Sequence, residues 1–230
     1  MQQLVTTGIV LARTNYGEAD RIITVLTPDN GKLRLMAKGT RREKSKLAGG
    51  IELFSVSHIT YIKGRSDIGT LVSARLSKHY GHIVQDLTRV QLGYDLIKLL
   101  NKTIEDRAEA EYFHLLEQAF RALDDPKIST ELIHAWFVAQ LLRLDGHMPN
   151  LVTDAFGEKL DPTAPYDFDY DSMAFAKHDH GQFGADHIKF MRLLFSGTQP
   201  RVLQQVSGVA QLMRDCGAMV ESIGAQSLSF

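Results

Sequence analysis

KLRLMAKGTRREKSK, residues 32–46, decides how this chain reads. It carries Lys32, Arg34, Lys38, Arg41, Arg42, Lys44 and Lys46 against one acid, Glu43, a net +6 in fifteen residues. Its first half alternates. Successive residues of a strand point to opposite faces, so Leu33, Leu35 and Ala37 share one side and Lys32, Arg34 and Met36 the other. Its second half has no apolar period and runs into Gly49 and Gly50, as a loop does. A basic strand feeding a basic, glycine-flanked loop suits a polyanion laid across a sheet. The competing reading is a solvated charge run, in which lysines keep a sheet edge from pairing.

Strands extend on both sides. Val5, Thr7, Ile9 and Leu11 alternate, Ile22, Thr24 and Leu26 follow, and Thr27-Pro28-Asp29-Asn30-Gly31 is a turn signal. Residues 51–62 and 68–79 are two further β-rich segments, joined by a turn through Lys63, Gly64, Arg65, Ser66 and Asp67. Five strands with short connections and no helical period predict a small closed barrel of the OB type. The connection at 40–49 is too short for a full helix and is expected to hold a turn at most. The polar link Tyr16-Gly17-Glu18-Ala19-Asp20-Arg21 is expected to be a hairpin in which Asp20 or Glu18 pairs with Arg21.

From His82 the period becomes helical. Ile83, Leu87, Val90, Tyr94, Ile97, Leu100 and Ile104 follow 4-3-4-3 spacing. Tyr112, Leu116, Ala119 and Leu123 mark a second helix, closed by Asp124, Asp125 and Pro126. A third, capped by Ser129 or Thr130 and ended by Gly146 and Pro149, is apolar nearly all round from Leu132 to Leu144, so it is expected at the centre of a second domain. Residues 147–184 lack helical period and are expected to form a small insert, with a strand at 166–171 paired to 173–177. Helices resume at 185–195 and from 200 to about 224, the last lining Leu203, Val206, Ala210, Met213, Cys216, Val220 and Ile223 on one face. The fold class is therefore α+β, with a domain at 1–80 and a helical domain at 81–230.

Composition sharpens this. The 230 residues are 44% hydrophobic and 23% charged, ordinary for a globular chain. The net charge of −1 hides an asymmetry: residues 1–80 carry thirteen Lys and Arg against six Asp and Glu, and the remainder thirteen against twenty-one. The polyanion thus belongs with the first domain. No apolar run reaches the ~20 residues that span a bilayer, and the start lacks a basic n-region and a cleavage site, so neither membrane span nor secretory leader is expected. One cysteine fits a reducing cytoplasm.

Signals for covalent catalysis are few: no G-x-S-x-G, P-loop or G-x-G-x-x-G occurs. Cys216, on an apolar helix face, reads as a buried inert thiol. His178, Asp179 and His180, with His187 downstream, are the residues on which a metal-assisted hydrolase would have to rest. The segment offers no cysteine and no second regular ligand pair, so a polar turn is the stronger reading.

Arg13, Lys63 and Arg65 extend the basic track, and Tyr16, Phe54 and Tyr61 are its candidate stacking aromatics. If four cations touch a single strand, log K falls with log salt at a slope of about −2.8. A generic RNA-binding OB protein of translation is the runner-up.

Thr7-Gly8-Ile9-Val10-Leu11, Tyr16-Gly17-Glu18-Ala19-Asp20-Arg21-Ile22, Leu26-Thr27 with Gly31-Lys32, Ala37-Lys38-Gly39-Thr40-Arg41-Arg42, Ser45-Lys46-Leu47 and Leu53-Phe54 occur in this order, completed by Asp67 and Leu71. Together they resemble the amino-terminal half of the RecO family of bacterial recombination mediators. Leu141-Leu142-Arg143-Leu144-Asp145-Gly146, with Pro149 and Leu151, and then Ile223-Gly224 with Ser227-Leu228, extend the resemblance. It implies a non-enzymatic protein without a catalytic residue or cofactor. Such a protein binds single- and double-stranded DNA, anneals complementary strands, works with RecR, contacts single-strand-binding protein and helps load RecA. It also implies an OB domain, a helical domain and a zinc-ribbon-like insert. Here residues 152–157 and 176–181 stand where many relatives carry C-x-x-C pairs, and none of the four cysteines is present, so zinc is not carried over. The aromatic alternation at 166–170 is expected to supply an apolar core instead. For the acidic, apolar-ended tail of single-strand-binding protein, Phe120, Arg121, Leu142 and Arg143 are the candidate contacts.

Overall fold

The computed structural model describes residues 2–64, 67–106 and 109–228. The chain forms two compact units, Met1–Asp125 and Pro126–Phe230.

In the first, β1 (Gln3–Tyr16), β2 (Asp20–Thr27), β3 (Gly31–Ala37), β4 (Ser55–Ile62) and β5 (Ile68–His79) close into a barrel in the order β1-β2-β3-β5-β4. Every pairing is antiparallel except β3 with β5, which is parallel. This is the five-stranded barrel of OB type anticipated from the spacing of the strands. The alternation of β3 is the one read from sequence: Leu35 and Ala37 join the barrel core with Val10, Ile23, Val25, Ile59 and Leu71, while Arg34 is exposed. The connection to β4 holds only a turn of 3-10 helix, Ala48–Ile51. Strand structure then starts at Ser55, four residues later than the apolar pattern suggested.

The compact unit does not stop near residue 80. Helices α1 (Leu87–Thr103) and α2 (Ala110–Leu123) pack on the barrel. Phe54 is the reason. Its backbone sits at φ 55, a left-handed value that costs a non-glycine residue about 1–3 kcal/mol. In return its ring is 97% buried, edge-on to Tyr94 of α1 and Phe120 of α2 at centroid distances of 5.4 and 5.6 Å. Gly93 makes room for it, since a Cβ there would strike the Phe54 ring. A second tie comes from Lys32, whose ammonium donates to the carbonyls of Ile104 (2.7 Å) and Asn101 (3.2 Å) at the end of α1.

In the second unit α3 (Thr130–Leu144) is buried continuously from Leu132 to Leu142 except at His134, as its all-round apolar sequence predicts. Ser129 Oγ accepts from the Leu132 amide at its start. At its end Gly146, at φ 80, lets the His147 and Gly146 amides reach back to the carbonyls of Leu142 and Arg143. Helices α4 (Ala185–Phe195) and α6 (Val209–Ser227) pack against α3. The helix expected over 200–224 is broken: α5 (Pro200–Leu203) ends early, and Gly208, at φ 72, starts α6 anew. The break rephases the apolar face. Leu212, Cys216, Met219, Val220 and Ile223 are buried, whereas Ala210 is exposed.

The insert is a three-stranded sheet, β6 (Asn150–Asp154), β7 (Tyr166–Asp169) and β8 (Ala174–Lys177), in the order β6-β8-β7. Its core is aromatic, with the ring of Phe175 edge-on to Tyr166, Phe168 and Phe183. β6 was not anticipated. Of its five residues only Leu151 is buried, which leaves no run of apolar alternation to mark it. Among the described residues no helix is long and apolar enough to cross a membrane.

Candidate nucleic-acid interface

β2 and β3 pair in continuous register from Thr27↔Gly31 to Arg21↔Ala37. That register carries the end of β3 back to the β1–β2 hairpin, so residues 38–47 emerge beside residues 16–20. The two loops are bonded together. The Gly39 amide donates to Asp20 Oδ1 at 2.7 Å, the Arg41 amide to the Ala19 carbonyl at 3.0 Å, and Arg41 Nη1 to the Gly17 carbonyl at 3.2 Å. Within the basic loop, the buried Thr40 hydroxyl donates to the Ala37 carbonyl, and two tight turns bond Arg42 to Gly39 and Ser45 to Arg42. Gly39 adopts φ 67, a conformation glycine takes without steric penalty. The loop therefore has a defined path although it contains no helix.

This path leaves Lys38, Arg41, Arg42, Lys44 and Lys46 exposed on one loop. Among the described residues none of the five stands within ion-pair distance of a carboxylate. Tyr16, 56% exposed, lies on the neighbouring hairpin. The expected pairing of Asp20 or Glu18 with Arg21 is not made. Asp20 holds Gly39, and Arg21 Nε donates to Asn15 Oδ1 at 3.2 Å.

The other expected cations divide differently. Arg13 is paired with Glu52 at 3.0 Å, and Lys32 is held by α1. Arg34 and Lys63 line a cleft of about 410 Å³ near the start of β3, together with Asp67 and Asp106. Six residues of strand, about 20 Å, separate Lys32 from Lys38. Arg65 lies outside the described residues. Of the three candidate aromatics only Tyr16 is accessible. Phe54 and Tyr61 are buried, because the first docks the helices and the second faces the barrel core.

The four candidate contacts for an acidic peptide are divided between the two compact units. Phe120 and Arg121 belong to one compact unit, Leu142 and Arg143 to the other. Phe120 and Leu142 are fully buried in their own cores. Arg121 is bonded to Glu117 at 2.8 Å, and Arg143 Nε donates to Gln140 Oε1. Burial works to raise the Glu117 pKa, but the Arg121 hydrogen bond and charge, with Lys78 and His114, hold it below the usual carboxylate range.

Among the described residues the histidines do not gather into one ligand set, although the rings of His178 and His180 lie edge to face 6.4 Å apart. His178 Nδ1 pairs with Asp167 at 2.9 Å. His187 is engaged through both ring nitrogens. Its Nδ1 accepts from the Gly184 amide at the start of α4, and its Nε2 lies 3.2 Å from Asp215 of α6. Hydrogen bonds from Gln211 and then His187 hold Asp215 below the usual carboxylate range. Among the described residues no group of three or more His, Cys, Asp or Glu side chains is placed to hold a metal ion. Cys216 is fully buried and its thiol is pushed up to about 12, by burial first and by Asp215 second, which makes it a poor nucleophile.

Sequence reasoning missed the anchoring role of Asp20. The signal available was an acid at the mouth of a short glycine-containing hairpin. Its partner, Gly39, follows only from the β2–β3 register.

Residues 1–80 match the family model described as "Recombination protein O N terminal", and residues 84–227 match "Recombination protein O C terminal". Among curated proteins, the chain is similar to the DNA repair protein RecO of Trichodesmium erythraeum, 34% identical over 68% of this chain and 57% of the relative. It is likewise similar to RecO of Dehalococcoides mccartyi, 32% identical over 64% of this chain and 57% of the relative. For RecO of Acetivibrio thermocellus the figures are 33% identity, 65% of this chain and 59% of the relative. The chain thus spans less than two thirds of the length of these relatives.

Proposed function

Because this chain belongs to the RecO family, whose relatives carry the name DNA repair protein, we propose that it is a DNA-binding recombination mediator that works without turning over a bond. The observation that carries this reading is the loop of five exposed cations, none in an ion pair among the described residues, fixed at one end of an OB barrel beside the exposed ring of Tyr16. Cations on a path of defined shape neutralise successive phosphates and release their counterions, whatever the base sequence. One accessible aromatic ring supplies limited stacking, as suits a sequence-neutral binder. Two complementary strands whose charge is partly cancelled repel each other less, and annealing follows. Arg34 of β3 and Lys63, just beyond β4, which line one cleft with Asp67 and Asp106, would extend the track for a longer strand. The reading includes RecR and the tail of single-strand-binding protein as partners and RecA as the protein whose loading is assisted. It places no partner at Arg121 or Arg143.

The test is a salt titration of binding to labelled single-stranded DNA, with annealing measured in parallel. If all five loop cations contact phosphate, the slope of log K against log salt is about −3.5. Reversal of Arg41, Arg42 and Lys44 to Glu is expected to abolish both activities at physiological salt. Annealing at the unaltered rate by a folded triple variant would overturn this placement of the site. Preference for RNA over DNA in direct competition would overturn the assignment to DNA repair.

A further inference from the structure

We infer that Asp20 is a positioning residue for DNA binding: its carboxylate, although it adds negative charge beside the phosphate path, holds the basic loop in the shape that binds. The inference rests on the reading of residues 38–46 as the DNA contact. Three hydrogen bonds tie that loop to the β1–β2 hairpin, and two of them end on backbone carbonyls, those of Gly17 and Ala19. Asp20 Oδ1 is the only acceptor of the three that a substitution can remove. At 2.7 Å from the Gly39 amide the bond has the short length of a charge-assisted contact. It closes on the residue at which the chain leaves β3 and turns, with φ 67 at Gly39, before Arg41 and Arg42 are presented.

Two physical effects of opposite sign meet at this residue. As a charge, Asp20 repels a phosphate, so its removal should tighten binding. As an anchor, it pre-orders a loop that would otherwise lose its freedom on binding, and that loss of freedom opposes association. With four cations beyond Gly39 depending on the path of the loop, the anchoring effect is the larger. Removal of the acceptor therefore weakens binding although the protein becomes more basic.

The experiment compares the intact chain with D20A and D20N and with the Arg41, Arg42 and Lys44 triple reversal, using labelled oligothymidine about 16 nucleotides long. Asparagine keeps an acceptor oxygen and loses the charge; alanine loses both. D20A is expected to bind about tenfold more weakly, and D20N within about twofold of the intact chain. The salt slope should stay the same in both, because the phosphate contacts are the same in number. Exchange of the Gly39 amide with solvent should accelerate in D20A and not in D20N. Melting temperatures show whether each variant is folded, and a D20A that fails to fold leaves D20N to decide. Under the charge reading D20N binds severalfold more tightly with a steeper slope, and that result overturns the inference. Equal binding by D20A and the intact chain, with the triple variant inactive, overturns the role of Asp20 alone. A triple variant that still binds overturns the site itself.

Discussion

The Nζ of Lys32 lies 2.7 Å from the carbonyl oxygen of Ile104, seventy-two residues along the chain. The first cation of the most basic stretch is thus a cap on the C-terminal end of α1, where the helix dipole favours positive charge. We expect it to serve the architecture of the unit rather than the proposed DNA track. Replacement of Lys32 by Met is expected to lower stability by about 1–2 kcal/mol while the salt slope of DNA binding stays unchanged. Chemical denaturation and the salt titration together check this. A slope reduced by one contact would return Lys32 to the DNA path.

Tyr16 is the one accessible ring among the three aromatics expected near the track. Base stacking on such a ring contributes about 1–3 kcal/mol by alanine substitution. Tyr16→Ala should therefore weaken binding to single strands by at least fivefold or so and Tyr16→Phe should hardly change it. Binding to duplex, whose bases are already stacked, should be affected less. Quenching of tyrosine fluorescence by oligothymidine in the intact chain, absent in the alanine variant, is the direct readout.

Phe54 joins barrel and helices. Phe54→Ala removes a fully enclosed ring and is expected to cost about 3–5 kcal/mol, with no relief at the backbone, since alanine at φ 55 is strained as well. Gly93→Ala drives a methyl into the same ring and should cost about 1–3 kcal/mol. Because the two changes meet at one contact, the double variant should be less destabilised than the sum. Denaturant midpoints of the four proteins give the coupling.

The depressed pKa of Glu117 fixes the sign of a pH effect. A carboxylate held lower in the folded chain than in the unfolded one contributes stability above its ordinary pKa and loses it as pH falls through the folded value. Glu117→Gln should therefore destabilise the protein at neutral pH, with the difference fading in acid. Melting curves of both proteins between pH 7 and about pH 3 follow the convergence. A gap that widens in acid would contradict the network of Glu117, Arg121 and Lys78 seen here.

Cys216 should be unreactive in the folded protein. With its thiol pushed up to about 12 and its side chain enclosed, a thiol reagent at pH 8 is expected to label it only at the rate of unfolding. Labelling kinetics with and without denaturant make the comparison.

Much of this architecture was written in the chain as period and punctuation. Alternation from Lys32 to Ala37 and the turn at Thr27–Gly31 marked strands correctly, but β1 gives Val10 to the barrel core and leaves Val5 exposed, and the pairing of β3 with β5 lies outside any local pattern. The nearly all-round apolar content of Leu132–Leu142 called for burial on most sides, and α3 is buried there at every residue but His134. Such signals are local, because a residue's choice between strand and helix depends on neighbours within a few positions. The net +6 of residues 32–46 was equally plain.

What each charge does was not local, and tertiary structure alone decided it. Lys32 and Lys44 are the same residue type in the same stretch, yet one caps a helix and the other is exposed on a loop. Phe54 and Tyr16 are both aromatics near the track, and only one faces water. Sequence sets which groups are available and on which face of an element they lie. Their partners come from long-range register and packing, here the alignment of β2 with β3 and the docking of α1, and these bring together residues tens of positions apart that no periodicity links.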